Sequence, residues 1–242
     1  GSVSGIRVSF HGPIAPRFIT GQLNTIAAAT ACKTYGAEIL IGSSWSRGHS
    51  LAGMNAHPEL DWYGIATLGA AGWSRLELDG LRDFDRRFAW QFFGLADGTL
   101  GDLFYQFERC STRVDHSMEN YLPHLLAELD RIQPEARRNR ERLELFRAVC
   151  EAQNLRFKAQ FAALEMEYFY ALWDRVPVAF KERMRRDIES VAAEIGRAQP
   201  AAAERYARSI IEGDARELAA TQFAFFRDQM LLLARRQFPE LG

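Results

Sequence analysis

Two short segments of the chain carry residue types that could bind a sugar, and they have almost the same four residues. They are Ser44-Trp45-Ser46-Arg47 and Gly72-Trp73-Ser74-Arg75. The flat apolar face of an indole suits stacking on the C–H face of a sugar ring, which makes both tryptophans candidates for carbohydrate contacts. Alternatively, each tryptophan fills a core or packs one part of the chain against another, and the spacing leaves both possibilities open.

Other kinds of site have less support in the sequence. The three cysteines are far apart, and His49 and His57 have no cysteine near them, so we expect neither a zinc site nor a disulfide framework. The serines beside Trp45 lack the Gly-x-Ser-x-Gly elbow of serine hydrolases, and no glycine-rich phosphate loop is present. The sequence therefore predicts no metal and no cofactor.

Charge and hydropathy argue against further classes of partner. The 30 basic residues nearly balance the 31 acidic ones, so no net field attracts nucleic acid or an anionic membrane. No run approaches the about 18 apolar residues of a membrane span, and no cleavable signal follows Gly1-Ser2, which is typical of a cloning scar. We therefore expect a soluble chain and favour a cytoplasmic location, while a signal upstream of Gly1 would be hidden.

The segments that position the two tryptophans alternate between strand and helix patterns. Residues 5–10 alternate and are β-branched, residues 16–33 are mostly helix formers followed by Gly36, and residues 38–45 form a second apolar run. A strand, a helix and a strand in this order are typical of a parallel sheet. Residues 63–73 are rich in small side chains and predict a third strand. Both tryptophans would then stand at the carboxyl ends of strands, where α/β barrels bind ligands.

After Gly80 the strand patterns give way to a helical period almost to the end of the chain. Helices are predicted at 83–93, 100–110, 117–132, 134–176, 178–198, 201–211 and 214–238. We therefore predict an α/β part followed by an all-α part. Residues 1–80 would supply about the last three strands of a (β/α)8 barrel, and residues 81–242 would form an antiparallel bundle of long helices.

The two tryptophan segments, taken with these strands, resemble the last two barrel strands of family 20 glycoside hydrolases, the β-N-acetylhexosaminidases, particularly the branch that includes hexosaminidase D. The residues that carry the resemblance are Ser44, Trp45, Arg47 and Gly48 in one strand end, and Gly72, Trp73, Arg75 and Glu77 in the other. It covers roughly residues 5 to 95. It implies a barrel that removes terminal β-linked N-acetylhexosamine by substrate-assisted, retaining hydrolysis.

The resemblance also implies roles for single residues. Trp73 would line the floor of the subsite for the terminal N-acetylhexosamine, and Glu77 would accept hydrogen bonds from its hydroxyls. Trp45 and Arg47 would lie at the neighbouring strand end, and Arg75 completes the Gly-Trp-x-Arg motif. The expected partner is therefore a glycan that contains N-acetylhexosamine.

The resemblance places no catalytic residue in this chain. In the family, an adjacent Asp-Glu pair orients the 2-acetamido group and protonates the leaving oxygen, and no such pair stands in a matching position here. The nearest acidic residues, Glu59 and Asp61 or Glu77 and Asp79, are separated by one residue. Because the catalytic strand would lie before Gly1, we expect the chain alone to be inactive.

Two other interpretations stay open at this point. In one, the helical region is a non-enzymatic interaction module, and its aromatic-rich helices form a core or a partner surface. In the other, the chain is a degenerate hydrolase that keeps the sugar-binding face without the chemistry. The exposed edges of so small a sheet, or the helices, could also join copies of the chain into a homo-oligomer.

Overall fold

The fold is described by a computed structural model that covers residues 5–9, 17–43, 58–74, 76–112, 118–170 and 172–207, together with positions 228 and 232. Strands and α-helices in these residues are β1 Gly5–Ser9, α1 Phe18–Tyr35, β2 Ile39–Ser43, α2 Trp62–Trp73, α3 Leu81–Phe88, α4 Thr99–Thr112, α5 Met118–Ile132, α6 Arg140–Tyr170 and α7 Val178–Ala207. Short 3-10 turns lie at Pro58–Leu60, Leu78–Gly80, Gln133–Glu135 and Trp173–Arg175, and a π-helical turn, Ala89–Phe93, extends α3.

The β1–α1–β2 unit has the order that the sequence predicts. β1 and β2 are parallel, with Gly5 opposite Ile39 and Ser9 opposite Ser43. α1 ends at Gly36, whose φ of 67° lies in the left-handed region, and the N–H of Gly36 donates to the carbonyl oxygen of Cys32. Glycine adopts this conformation without the steric cost that a Cβ adds. The local signals of this part of the sequence thus predict its elements correctly.

The predicted third strand is wrong, because residues 63–73 lie in α2. The buried residues of this helix, Tyr63, Gly64, Thr67 and Ala71, recur every one to four positions on one helical face and do not alternate as strand residues do. This face packs against α1. The prediction of a partial (β/α)8 barrel is wrong as well, since the described chain is mainly helical and its strands are β1 and β2 alone.

The helices between Gly80 and residue 132 agree with the sequence pattern. α3 with its π-helical turn, α4 and α5 match the predicted segments at 83–93, 100–110 and 117–132. Gly94 ends the first of these segments with a φ of 72°, a conformation that suits a helix stop at glycine. These three predictions are confirmed.

The long helices differ more from the prediction. α6 begins at Arg140 and not near residue 134, because a 3-10 turn and Asn139, at a φ of 49°, interrupt the chain before it. α7 continues through Pro200 and so joins two segments that the sequence predicts as separate helices. α6 and α7 pack against each other. The predicted helix at 214–238, which would make a third long helix, lies outside the described residues apart from positions 228 and 232.

One buried cluster runs through the described chain, and it includes residues on both sides of the domain boundary predicted at residue 80. Its centre is an aromatic core that consists of Phe18, Tyr63, Phe104, Phe107 and Phe146, each at most 5% exposed. Phe18 stacks on Phe104 with ring centroids 4.3 Å apart, and the edge of Phe146 meets the Phe104 ring at 5.1 Å. These rings hold α1, α2, α4 and α6 together by burial and by aromatic contact.

A carboxylate of α4 caps the start of α1. Arg17, which precedes α1, makes no capping hydrogen bond with its side chain. Glu108 instead accepts hydrogen bonds from the backbone N–H of Ile19 at 2.5 Å and of Thr20 at 3.1 Å. The first N–H groups of a helix have no intrahelical partner, and a negative charge beside them is favourable. α4 thus fixes one end of the helix whose other end forms the candidate site.

Candidate functional site

The structure describes two of the five residues that the sequence assigns to sugar binding. Trp73 is the last residue of α2, and Glu77 follows it, directly before the turn at Leu78–Gly80. Trp45, Arg47 and Arg75 lie outside the described residues. Trp73 therefore stands at the end of a helix and not, as the strand prediction requires, at the end of a strand.

Trp73 borders a groove that α1, α2 and the start of β2 enclose, and which we call the α1–α2 groove. Its volume is about 610 Å³, and the residues that line it include Ala29, Cys32, Lys33, Glu38, Ile39, Ile65, Gly69, Gly72 and Trp73. The groove is open because small residues stand on both helices. A Cβ added to Gly69 or to Gly72 would meet no atom within 4 Å. Larger side chains at these positions would fill the space.

The indole of Trp73 is the feature that singles out this groove. Trp73 is 93% exposed, while Ile39 and Ile65, which line the same groove, are 42% and 47% exposed. Burying an aromatic or branched apolar side chain stabilises by about 1.5–3 kcal/mol. Because these three side chains are exposed, the free chain does not gain this burial free energy. A ligand that covers them would recover part of this free energy.

The polar groups of the groove are few and lie near the apolar rim. Lys33 lies in the last turn of α1 and carries an ammonium group, Glu38 directly precedes β2 and carries a carboxylate, and both line the groove. One is a hydrogen-bond donor and the other an acceptor. Glu77 is exposed but is not among the described residues that line the groove. The structure therefore brings Trp73 into a pocket without bringing Glu77 with it.

The groove offers groups that bind and little that would perform acid–base chemistry. The nearest acidic pair upstream of α2 has other contacts: Glu59 accepts a hydrogen bond from Arg142 at 2.8 Å, and Asp61 is buried. Among the described residues no group of three His, Cys, Asp or Glu side chains could hold a metal ion. The arrangement is an apolar groove with an exposed aromatic face at its rim.

Sequence reasoning missed the α1 side of the groove. Ala29, Cys32 and Lys33 come from a helix that the pattern identified only as a connection between two strands. The run of small residues in α1, together with the glycines of α2, was the signal available. Small residues on two neighbouring helices permit the helices either to approach closely or to leave an open groove. Only the positions of the helices in the tertiary structure decide which of the two occurs.

No protein-family model matches the sequence, and no curated protein matches it. Within the part of the chain that the structure describes, no helix is both long enough and apolar enough to cross a membrane.

Proposed function

We propose that the α1–α2 groove binds the terminal N-acetylhexosamine of a glycan. In this proposal the chain is the sugar-binding part of a glycoside hydrolase that removes this β-linked sugar. The observation that carries the proposal is the indole of Trp73, which is 93% exposed at the rim of a groove of about 610 Å³. The residues Gly72, Trp73, Arg75 and Glu77 resemble a motif of family 20 glycoside hydrolases in sequence alone, because residues 63–73 form a helix here and not the barrel strand of that family. The proposal does not require a barrel in this chain.

The size and chemistry of the groove suit one sugar unit. Small-molecule sites typically have volumes of about 300–1,000 Å³ and combine apolar walls with a few polar groups that fix orientation. The face of Trp73 would stack on the apolar face of the pyranose ring. Lys33 and Glu38 would hydrogen-bond to hydroxyl groups, the first as a donor and the second as an acceptor. The ligand would thus cover the apolar rim and hydrogen-bond to these two side chains.

The hydrolytic step belongs to the part of the proposal that rests on resemblance. Family 20 enzymes use the 2-acetamido group of the substrate as the nucleophile, with an acid that protonates the leaving oxygen. The residues that line the groove do not include such an acid with a partner carboxylate. In this proposal the chain supplies sugar binding, and the acid comes from other residues. The chain alone is therefore expected to bind N-acetylglucosamine without turning over a glycoside.

Titration calorimetry with N-acetylglucosamine tests the binding part. Trp73→Ala should weaken binding by about tenfold or more, equal to about 1.4 kcal/mol, because the stacking face is lost. Trp90→Ala is the matched control, since Trp90 is also exposed but is not among the residues that line the groove. Equal affinity of the Trp73→Ala variant and the unchanged chain would contradict the proposal, as would the absence of binding by the unchanged chain.

A chromogenic N-acetyl-β-glucosaminide tests the hydrolase part. A longer protein that contains this sequence should release the chromophore, and Trp73→Ala in it should lower kcat/KM. Release that is unaffected by Trp73→Ala would separate the activity from the groove. No release by the longer protein, combined with normal sugar binding, would leave a degenerate, carbohydrate-binding hydrolase as the better description.

A second candidate function follows from the apolar surface next to the groove. Ile41 lies on the same side of β2 as Ile39 and is 51% exposed. Parallel strands are normally covered on both faces, so this side of β2 suits a second copy of the chain. Ile41→Asn should then shift a dimer towards monomer in analytical ultracentrifugation while sugar binding is kept. A monomer at all concentrations would exclude this candidate.

A further inference from the structure

A basic segment closes the end of α3, after its π-helical turn. The backbone N–H groups of Arg137 and Arg138 donate to the carbonyl oxygen of Phe93 at 2.9 Å and 3.1 Å. The guanidinium group of Arg138 donates to the carbonyl oxygen of Trp90. The last carbonyl oxygens of a helix have no partner inside the helix, and a cation beside them is favourable. These contacts fix the backbone of the basic segment against α3.

The indole of Trp90 stands between this segment and two arginines of α3. Side chains three and four positions apart on a helix are neighbours, so Arg86 and Arg87 lie about one turn before Trp90. A helical side chain leans towards the start of its helix, which directs the indole towards this pair and away from the carbonyl that Arg138 contacts. Trp90 is 49% exposed.

The arginines on both sides of Trp90 are exposed as well, and together they form one surface of the chain. We call this the arginine–tryptophan surface, and it consists of Arg86, Arg87, Trp90, Arg137 and Arg138. The capping contact explains why an arginine stands at position 138. It does not explain Arg137, whose side chain forms no hydrogen bond within the described part of the chain.

Cations outnumber anions on this surface. Arg86 and Arg87 share one carboxylate, that of Asp83, at 2.6 Å and 3.0 Å. Arg137 and Arg138 form no ion pair with any residue that the structure describes. Four guanidinium groups thus have a single carboxylate among them, and the surface carries a local excess of positive charge.

The acidic residues next to the basic segment bind other groups. Glu135 lies 3.8 Å from Arg131, and Glu141 lies 2.6 Å from Arg142. Asp97 accepts a hydrogen bond from the backbone N–H of Thr99, and its charge acts on Arg131. The positive charge of the arginine–tryptophan surface therefore remains available to a partner.

The residue types of this surface are those that dominate protein interfaces. Tryptophan and arginine are enriched among the residues whose loss costs most binding free energy. A guanidinium group matches a carboxylate through two parallel hydrogen bonds. Because hydrogen bonds to α3 hold the backbone of Arg137 and Arg138, a partner has less ordering to impose on this side when it binds.

The spacing along the surface fits an extended peptide. Arg86 and Trp90 are four residues apart, which is about 6 Å along a helix axis, and Arg138 contacts the far side of Trp90. In an extended strand, side chains on one face recur about every 6.5 Å. A central apolar side chain can therefore lie on the indole while acidic side chains two positions before and after it reach the arginines.

A single-stranded nucleic acid would also offer anions and flat faces that stack on an indole. Its affinity depends on the number of phosphates that it contacts along a basic track. The arginine–tryptophan surface is about one helical turn long, and the chain as a whole has 30 basic and 31 acidic residues. These observations favour a short acidic segment of a protein.

We propose that the arginine–tryptophan surface docks an acidic segment of another protein, in which an apolar or aromatic residue is flanked on both sides by carboxylates. The apolar residue lies on Trp90. The flanking carboxylates pair with Arg86 and Arg87 on one side and with Arg137 and Arg138 on the other. This docking does not depend on the α1–α2 groove or on the function proposed for it.

Fluorescence anisotropy with a labelled peptide tests the proposal. The probe is a peptide with one phenylalanine between three acidic residues on either side, at about 150 mM salt. Trp90→Ala and Arg137→Glu should each weaken its binding by about tenfold, the first through loss of the apolar contact and the second through reversal of a charge. No binding by the unchanged chain, or equal affinity of both variants and the unchanged chain, would overturn the proposal.

Arg197→Glu is the matched control for charge. Arg197 is exposed on α7 and forms no ion pair with a described residue. Glu194, three residues before it, binds Lys158, which lies about 27 Å along α6 from the start of that helix. Salt at about 150 mM screens charges beyond about 8 Å, so this variant should keep the affinity of the unchanged chain. Equal losses in Arg197→Glu and Arg137→Glu would show unspecific attraction and overturn the proposal.

Two altered probes test the chemistry of the partner. A peptide with serine in place of the phenylalanine should bind about fivefold more weakly, because it cannot cover the indole. An oligothymidine with the same number of charges should also bind more weakly than the phenylalanine peptide. Tighter binding of the oligothymidine would overturn the choice of a protein partner, and equal affinity of the two peptides would overturn the role of Trp90.

Trp73→Ala separates this surface from the α1–α2 groove. It should leave peptide binding unchanged, because Trp73 lines the groove and is not part of the arginine–tryptophan surface. Peptide binding without sugar binding supports the docking surface and contradicts the proposed function alone. Sugar binding without peptide binding contradicts the docking surface alone.

Discussion

The aromatic core and the α1–α2 groove are both apolar, and α1 and α2 contribute to each, yet one is closed and the other is open. In the core, Phe18 and Phe104 are at most 5% exposed, whereas Trp73 at the groove is 93% exposed. In the core, aromatic rings from different helices pack against each other. At the groove, the large residues lie at the rim, and the helix surfaces between them carry alanine and glycine. Apolar composition alone therefore does not decide burial, because a large side chain needs a facing side chain of matching size.

The largest expected effect comes from opening the closed region. Phe104→Ala should lower the free energy of unfolding by about 3–5 kcal/mol, because it removes the ring that stacks on Phe18 and leaves a cavity. Tyr105→Ala, one residue further along α4 and exposed, should change it by less than about 0.5 kcal/mol. Urea unfolding followed by circular dichroism measures both. Similar losses in the two variants would show that the core and the surface of α4 do not differ as the structure indicates.

A pair of glycine substitutions compares the two regions directly. Gly101→Ala should cost about 1–3 kcal/mol, because its Cβ would lie within 2.8 Å of Asp85 Cβ and Cγ. Gly69→Ala, in the groove, meets nothing within 4 Å and should stabilise α2 by about 0.5–1 kcal/mol while making the groove smaller. Thermal unfolding of both variants measures this. A loss of stability in Gly69→Ala would mean that the groove is more tightly packed than described.

A smaller effect is expected at Glu108, the residue of α4 that caps the start of α1. Glu108→Gln keeps an acceptor for the N–H groups of Ile19 and Thr20 but removes the charge, which should cost about 1 kcal/mol. Glu128→Gln, which breaks an exposed pair with Arg131, should cost less than about 0.5 kcal/mol. Urea unfolding at low salt measures the difference. Equal, negligible losses would show that the cap contributes nothing to the position of α1.

The sequence predicted those elements whose signals lie within a few residues. The stops at Gly36 and Gly94 are confirmed because a left-handed conformation at a helix end favours glycine whatever lies around it. The predicted start of α6 is wrong by several residues. Asn139 has a positive φ just before the helix, and since Gly or Asn can adopt this conformation at many positions, the sequence does not show that it occurs here. The candidate site was found only through Trp73, because the α1 residues that line the groove, Ala29, Cys32 and Lys33, belong to no sequence motif that indicates a ligand.

By itself, the sequence determined the β1–α1–β2 order and the helical character after Gly80, because period and helix stops are local properties of the chain. Only the tertiary structure decided that residues 63–73 form a helix and that a groove opens beside Trp73. The physical reason is distance along the chain. A segment of small apolar residues suits a strand or a helix, and contacts with remote residues, such as the stack of Phe18 on Phe104 and the bond of Tyr63 to Asp85, select the one that fills the core.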